Sequence, residues 1–186
     1  EDFGNAARED LVSGLRLLSR HSKPLMVHAE LPFEVEVDSS ASSKYETYMN
    51  SRPGEFEEGA VRQLLSISRE LGSEGVPHKI HVAHVAEASV LDEVQIHKNK
   101  NLRTAVSFTT ETCPHYLCLV AEDVPEGATE YKCAPPIRGS ENREALWAGL
   151  AEGVIDQVVT DHSPCIPSLK LPETGDFENA WGGIAS

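Results

Sequence analysis

Three side chains of types that hold divalent metal ions each follow an apolar stretch. His28 comes after Pro24-Leu25-Met26-Val27, His84 after Lys79-Ile80-His81-Val82-Ala83, and Asp161 after Ile155-Asp156-Gln157-Val158-Val159-Thr160. Two imidazoles and a carboxylate suit Zn²⁺ or a similar ion, and a catalytic site needs about three protein ligands with a position left open for water. A single histidine after an apolar strand is also commonly a hydrogen-bonded core residue, so neither imidazole decides the matter alone. His81 lies three residues before His84, which turns it to the opposite side of a strand and makes it a packing or surface group.

The elements that must position these residues alternate along the chain. Leu11, Leu15 and Leu18, with Val12 beside them, recur at helical spacing between Ala6 and Ser19, ahead of the first apolar run. A polar loop rich in serine (Ser39, Ser40, Ser42, Ser43) follows His28. From Pro53 to Leu71, Phe56, Ala60, Leu64 and Ile67 share a helical face, with Gly72 as the stop. Helical spacing returns over Glu87 to Lys98 through Val90, Leu91, Val94 and, less cleanly, Ile96, and over Asn142 to Glu152 through Ala145, Leu146 and Leu150. Arg103 to Thr112, rich in β-branched residues and Phe, completes a set of four strands with helices around them.

Such alternation implies parallel strands joined by right-handed crossovers, in either a doubly wound open sheet or a (β/α)8 barrel. The sequence has neither GxGxxG nor GxxxxGK[ST], the glycine-rich turns that usually mark an open nucleotide-binding sheet. In a barrel the polar side chains that do chemistry stand at the C-terminal ends of several strands, facing one mouth. His28, His84, Thr112 and Asp161 occupy such positions.

Composition narrows the partners. The 186 residues, 40% hydrophobic and 25% charged, describe an ordinary soluble globular chain with one domain or part of one. A formal charge of -14 repels nucleic acid and anionic membranes, so neither is expected as a partner. No apolar run approaches a bilayer span, and nothing in the chain specifies a compartment. Cys113, Cys118, Cys133 and Cys165 form no CxxC pair and read as reduced structural thiols.

Five stretches, in this order, carry a resemblance: Val27-His28-Ala29-Glu30; His81-Val82-Ala83-His84-Val85; Glu111-Thr112-Cys113-Pro114-His115-Tyr116; Lys132-Cys133-Ala134-Pro135-Pro136-Ile137-Arg138; and Asp161-His162-Ser163-Pro164-Cys165. They resemble the cyclic amidohydrolases, the group of allantoinase, hydantoinase (dihydropyrimidinase) and dihydroorotase. Ser51-Arg52-Pro53, Cys133 to Arg138 and Ala180-Trp181-Gly182-Gly183-Ile184 make the allantoinase branch the best match.

The resemblance implies a fold: residues 1–186 would form the C-terminal half, strands 5 to 8, of a metal-dependent-hydrolase (β/α)8 TIM barrel, as an internal fragment. It also implies two divalent metal ions, zinc first, with cobalt or manganese as alternatives. His28 and His84 would be ligands of the second ion. Asp161 would be a ligand of the first and the general base, and the nucleophile a hydroxide shared by both ions. A cyclic amide would open, giving allantoate from allantoin in purine catabolism. Ala134, through its backbone, and Gly182 and Gly183, where glycine permits close approach, would contact the ring of this small-molecule substrate. The full-length protein would be a homotetramer.

Other family features have no counterpart here. The family's His-x-His ligand pair and its bridging carbamylated lysine are expected upstream, outside the fragment; Lys23, Lys44 and Lys79 stand in the wrong context. Four strands cannot close the barrel, so the isolated fragment is expected to be inactive and poorly folded. Arg138 reads as an exposed ion-pair residue, and His115 and His162 as neighbours of the site without a role. The rival functions are a hydantoinase or dihydroorotase, with the same metal apparatus, and a non-enzymatic dihydropyrimidinase-like scaffold.

Overall fold

The computed structural model describes residues 4–37 and 41–184; Ser39 and Ser40 of the serine-rich loop lie outside them. Among the described residues four strands, β1 (Leu25–Val27), β2 (His78–Val82), β3 (Val106–Thr112) and β4 (Gln157–Val158), form one sheet in the order β1-β2-β3-β4. All three pairings are parallel. Each strand lies beside its predecessor, so the sheet has no point at which the strand order reverses. A doubly wound sheet needs such a reversal, whereas an arc of a barrel does not.

The helices are α1 (Arg8–Ser19), α2 (Tyr45–Ser51), α3 (Gly54–Ser73), α4 (Leu91–Asn101), α5 (Pro114–Cys118) and α6 (Ser140–Ala151). The periodic segments account for α1, α3, α4 and α6. In α3 the expected stripe Phe56, Ala60, Leu64 and Ile67 is buried, joined by Val61, Leu65 and Leu71. The helix runs one residue past Gly72. It closes where Gly75 (φ 74°) lets the Val76 N–H reach back to the Leu71 carbonyl at 2.9 Å. In α4 the weak apolar position Ile96 is 54% exposed, and the buried face is completed by His97. Helix α2 and α5 are too short, at 7 and 5 residues, to show a period.

Helices α1, α3 and α4 pack on the sheet, and the core lies between them and one of its faces. Ile80, Val82 and Phe108 point into that core. The alternate residues Met26, His81 and Thr109, side by side in the strand register, occupy the other face, where Met26 is 62% exposed. His81 belongs to this second face, as its spacing predicts, but it is engaged there: Nδ1 lies 2.8 Å from Thr109 Oγ1 and Nε2 2.9 Å from Glu111 Oε2. Gln157 Nε2 donates to the same Glu111 oxygen at 2.7 Å.

No helix among the described residues is long and apolar enough to cross a membrane.

Candidate metal centre

The three expected ligands do not end strands; they sit in the segments just past the strand ends. His28 follows β1 by one residue, His84 follows β2 by two, and Asp161 follows β4 by three. The strands are short because successive residues there turn out of the ladder while single backbone bonds continue it. Ala83 N–H donates to the Val27 carbonyl (3.0 Å), Val85 N–H to Glu111 (2.7 Å) and Val159 N–H to Thr112 (3.0 Å). His84 is therefore clamped between two residues that are each bonded to a neighbouring strand. Thr112, also at the mouth, is fully buried and spends its hydroxyl on the Val85 carbonyl at 2.7 Å, so it holds the rim together.

His84 and Asp161 share an uncommon backbone. Their φ angles are +37° and +45°, in the left-handed region that costs a side-chain-bearing residue free energy. Such strain persists where the surroundings fix the residue, and it concentrates at functional sites.

The structure brings His28 and His84 together. His28 Nδ1 lies 3.1 Å from His84 Nε2, with ring centroids 4.8 Å apart and planes at 65°. Two nitrogens bound tetrahedrally to one Zn²⁺ at about 2.0–2.1 Å would stand about 3.3 Å apart. The pair has the spacing and lone-pair chemistry for one divalent ion. Burial pushes the His84 pKa down, and the nearby His28 does so further, while the Asp161 carboxylate acts in the opposite direction. A histidine kept neutral is ready to ligate. Asp161 is exposed, and among the described residues no three His, Cys, Asp or Glu side chains close around one ion position. Two of the three expected ligands meet, and Asp161 acts on His84 through its charge without closing a three-ligand group.

Sequence reasoning gave no role to Glu30, although it lies inside the first motif. Its buried carboxylate takes His28 Nε2 at 2.7 Å and is gripped by Arg52, through Nε (3.1 Å) and Nη2 (2.5 Å). Burial opposes its charge, but the bonds from His28 and Arg52 outweigh that and hold its pKa down at about 2.

Arg138 departs from expectation. It is buried, not an exposed ion-pair residue, and it donates to the Arg52 carbonyl at 2.7 Å and to Glu57 Oε1 at 3.1 Å. Glu57, in the first turn of α3, also accepts the backbone N–H groups of Ala86 (3.0 Å) and Glu87 (3.1 Å), just past His84. Burial raises its pKa to about 7 despite Arg138. The signal missed was the turn itself, since a carboxylate meeting two successive N–H groups there has no periodic signature.

Beside this centre lies a cavity of about 630 Å³, walled in part by Tyr48, Arg52, Lys132, Ala134 and Gly182. Its size falls in the range of small-molecule sites. Three tyrosines pin the loop that carries Ala134: Tyr48 donates to the Cys133 carbonyl (2.7 Å), Tyr116 to Pro135 (2.7 Å) and Tyr45 to Ile137 (3.1 Å). Lys132 Nζ donates to the Glu178 and Ala180 carbonyls at 2.9 and 2.8 Å, and Lys170 Nζ to those of Lys132 and Trp181, both at 2.9 Å. The two ammonium groups tie the Ala134 loop to the Gly182 segment, and burial lowers the Lys132 pKa to about 8. Cys133 is buried among these groups, in keeping with a packing role.

Gly182 and Gly183 separate. Gly182 is exposed at the cavity, while Gly183 is buried against Ser163 and borders a second cavity of about 460 Å³. A Cβ on Gly183 would stand 2.6 Å from Ser163 Oγ and 2.9 Å from Trp181 Nε1, whereas one on Gly182 would meet only Lys132 Cε, at 4.0 Å. Gly183→Ala is therefore expected to cost about 1–3 kcal/mol, read as a lower denaturation midpoint. Gly182→Ala is expected to leave the midpoint unchanged; equal losses in both variants would contradict this difference.

Acid should weaken the fold. Burial holds His97 and His115 near a pKa of about 4, against 6.5 when exposed, so both stay neutral in the native state. Their stabilising contribution is complete above about pH 6.5 and is lost as pH falls towards 4. Glu57 works the other way, taking up a proton in the native state between about pH 7 and 4.5. Two histidines against one carboxyl leave the unfolded chain with about one extra proton, a slope of roughly 1.4 kcal/mol per pH unit. The urea midpoint should fall between pH 6.5 and 5; a flat or rising midpoint would show that the histidines are not held neutral.

No family model matches the chain. Solved structures match its fold: dihydropyrimidinase from Brevibacillus agri at a TM-score of 0.80 and 22% identity, covering 100% of this chain and 40% of that one. L-hydantoinase from Arthrobacter aurescens follows at 0.79 and 22%, covering 99% and 40%. The fold is thus a partial barrel of the amidohydrolase type. In sequence the chain is a relative of the allantoinases over its whole length. It is 42% identical to allantoinase of Arabidopsis thaliana and 39% identical to that of Saccharomyces cerevisiae, covering 100% of this chain each time. It spans 37% and 40% of the length of those two proteins.

Proposed function

We propose that the protein carrying this chain is an allantoinase, opening the hydantoin ring of allantoin to give allantoate in purine catabolism. The observation that supports this most is the His28–His84 pair, two imidazole nitrogens 3.1 Å apart at the mouth of an amidohydrolase-type arc. The reaction adds water across a ring amide: the oxygen joins the carbonyl carbon, the ring C–N bond breaks and the nitrogen takes a proton. Two divalent ions, zinc first, would supply an activated water and polarise the carbonyl. His28 and His84 would hold one of them. Asp161 would hold the other and carry the proton from the water to the leaving nitrogen. Ala134 and Gly182 would meet the ring with backbone groups, Ala134 on a loop whose geometry is set before substrate arrives. Gly183, pressed on Ser163, would act by placing Gly182.

The homotetramer stays part of this reading. The test compares allantoin, hydantoin, dihydrouracil and dihydroorotate as substrates of the zinc-loaded protein. Allantoin should give the highest kcat/KM by at least tenfold; preference for another ring would move the protein to a neighbouring activity, and turnover of none would favour a scaffold.

A further inference from the structure

We infer that Glu30 is a positioning residue for the metal: by accepting the His28 Nε2 proton it fixes the tautomer in which Nδ1 presents its lone pair towards His84. This inference rests on the reading of His28 and His84 as an ion site.

The contact with Glu30 sets where His28 carries its proton. Glu30 as a carboxylate has only acceptors, so the 2.7 Å contact requires the hydrogen on His28 Nε2. In neutral His28 the other nitrogen, Nδ1, is then bare. With both rings neutral and no ion between them, the 3.1 Å contact is bridged by a hydrogen on His84 Nε2. With the His84 proton on Nδ1 instead, where the residue's own backbone carbonyl can accept it, Nε2 is bare as well and two lone pairs face one ion position. The carboxylate is itself immobilised. Its side chain is 2% exposed, and Arg52 contacts both of its oxygens. Arg52 is in turn anchored through its carbonyl, which accepts from the buried Arg138 at 2.7 Å. Arg52 also walls the cavity beside Ala134, so one residue links the substrate space to the orientation of a metal ligand. Carboxylates behind ligating histidines typically contribute 10–100-fold to metal affinity.

Glu30→Gln is the informative change. It keeps the size of the side chain but replaces the carboxylate by a neutral amide with one accepting oxygen, which cannot serve Arg52 Nε, Arg52 Nη2 and His28 Nε2 together, so the hold on the Nε2 proton loosens. The experiment labels the histidines of the full-length protein that carries this chain with ¹⁵N and reads their tautomers at pH 8.5 without metal, then measures Co²⁺ affinity by equilibrium dialysis. The wild-type chain should show His28 protonated on Nε2. Glu30→Gln should lower the share of His28 protonated on Nε2 and weaken Co²⁺ binding 10–100-fold, while Glu30→Asp should keep the wild-type tautomer. A wild-type His28 protonated on Nδ1 overturns the inference without any variant being needed, as does unchanged Co²⁺ affinity in a folded Glu30→Gln chain. Failure of the wild-type chain to bind Co²⁺ with His28 protonated on Nε2 would instead count against the ion site itself.

Discussion

Asp161→Asn is expected to lower kcat for ring opening by about 10²–10⁴-fold in the protein that carries this chain, with little change in its denaturation midpoint. The size is that of a lost general base. The choice of asparagine matters because Asp161 sits at φ +45°, and asparagine visits the left-handed region about as readily as aspartate. The variant therefore removes the charge and the proton acceptor without a backbone penalty, which alanine would add. It also tests whether a carboxylate that acts on His84 through its charge works with the histidine pair. Steady-state kinetics of the metal-loaded protein, with metal content measured alongside, decide the point. A kcat within a few-fold of wild type would remove Asp161 from the mechanism, and loss of metal alone would make it a ligand and no more.

The second large effect is on stability. Arg138→Met should destabilise the fold by about 3–5 kcal/mol at pH 8, because it strands the buried Glu57 carboxylate. That is a substantial part of the 5–15 kcal/mol typical of a folded domain. Glu57 keeps its bonds from Ala86 and Glu87 but loses its cation, so its pKa, already raised by burial to about 7, should rise further. Measured as a difference from wild type at the same pH, the loss should shrink at pH 5.5, where the carboxyl is protonated and no charge is stranded. A pH-independent loss would mean that Arg138 matters through its bond to the Arg52 carbonyl and not through Glu57.

The sequence made the layer structure legible where it was periodic. The stripe of α3 and the β-branched run of β3 are set by burial on one face, and burial leaves a period that can be read. Metal-binding residue types following apolar runs likewise pointed to His28 and His84, which the fold brings to 3.1 Å. What stayed hidden depends on contacts between distant segments. Glu30 and Arg52 are 22 residues apart, and Arg138 meets Glu57 across 81, so no local spacing reports either pair. Arg138 looked like a surface cation because most arginines are, and only the fold shows the carboxylate and the carbonyl that accept it in the interior. The separation of Gly182 from Gly183 likewise depends on Ser163, which comes against Gly183 only in the folded chain.

His28 and His84 are proposed to bind one divalent ion between them. Zinc-edge X-ray absorption on the zinc-loaded protein that carries this chain, compared with the same protein carrying His28→Gln and His84→Asn, tests this. The wild type should show two more imidazole nitrogens at about 2.0–2.1 Å than the double variant, with correspondingly stronger multiple scattering. An identical spectrum from both proteins would place the ion elsewhere and contradict it.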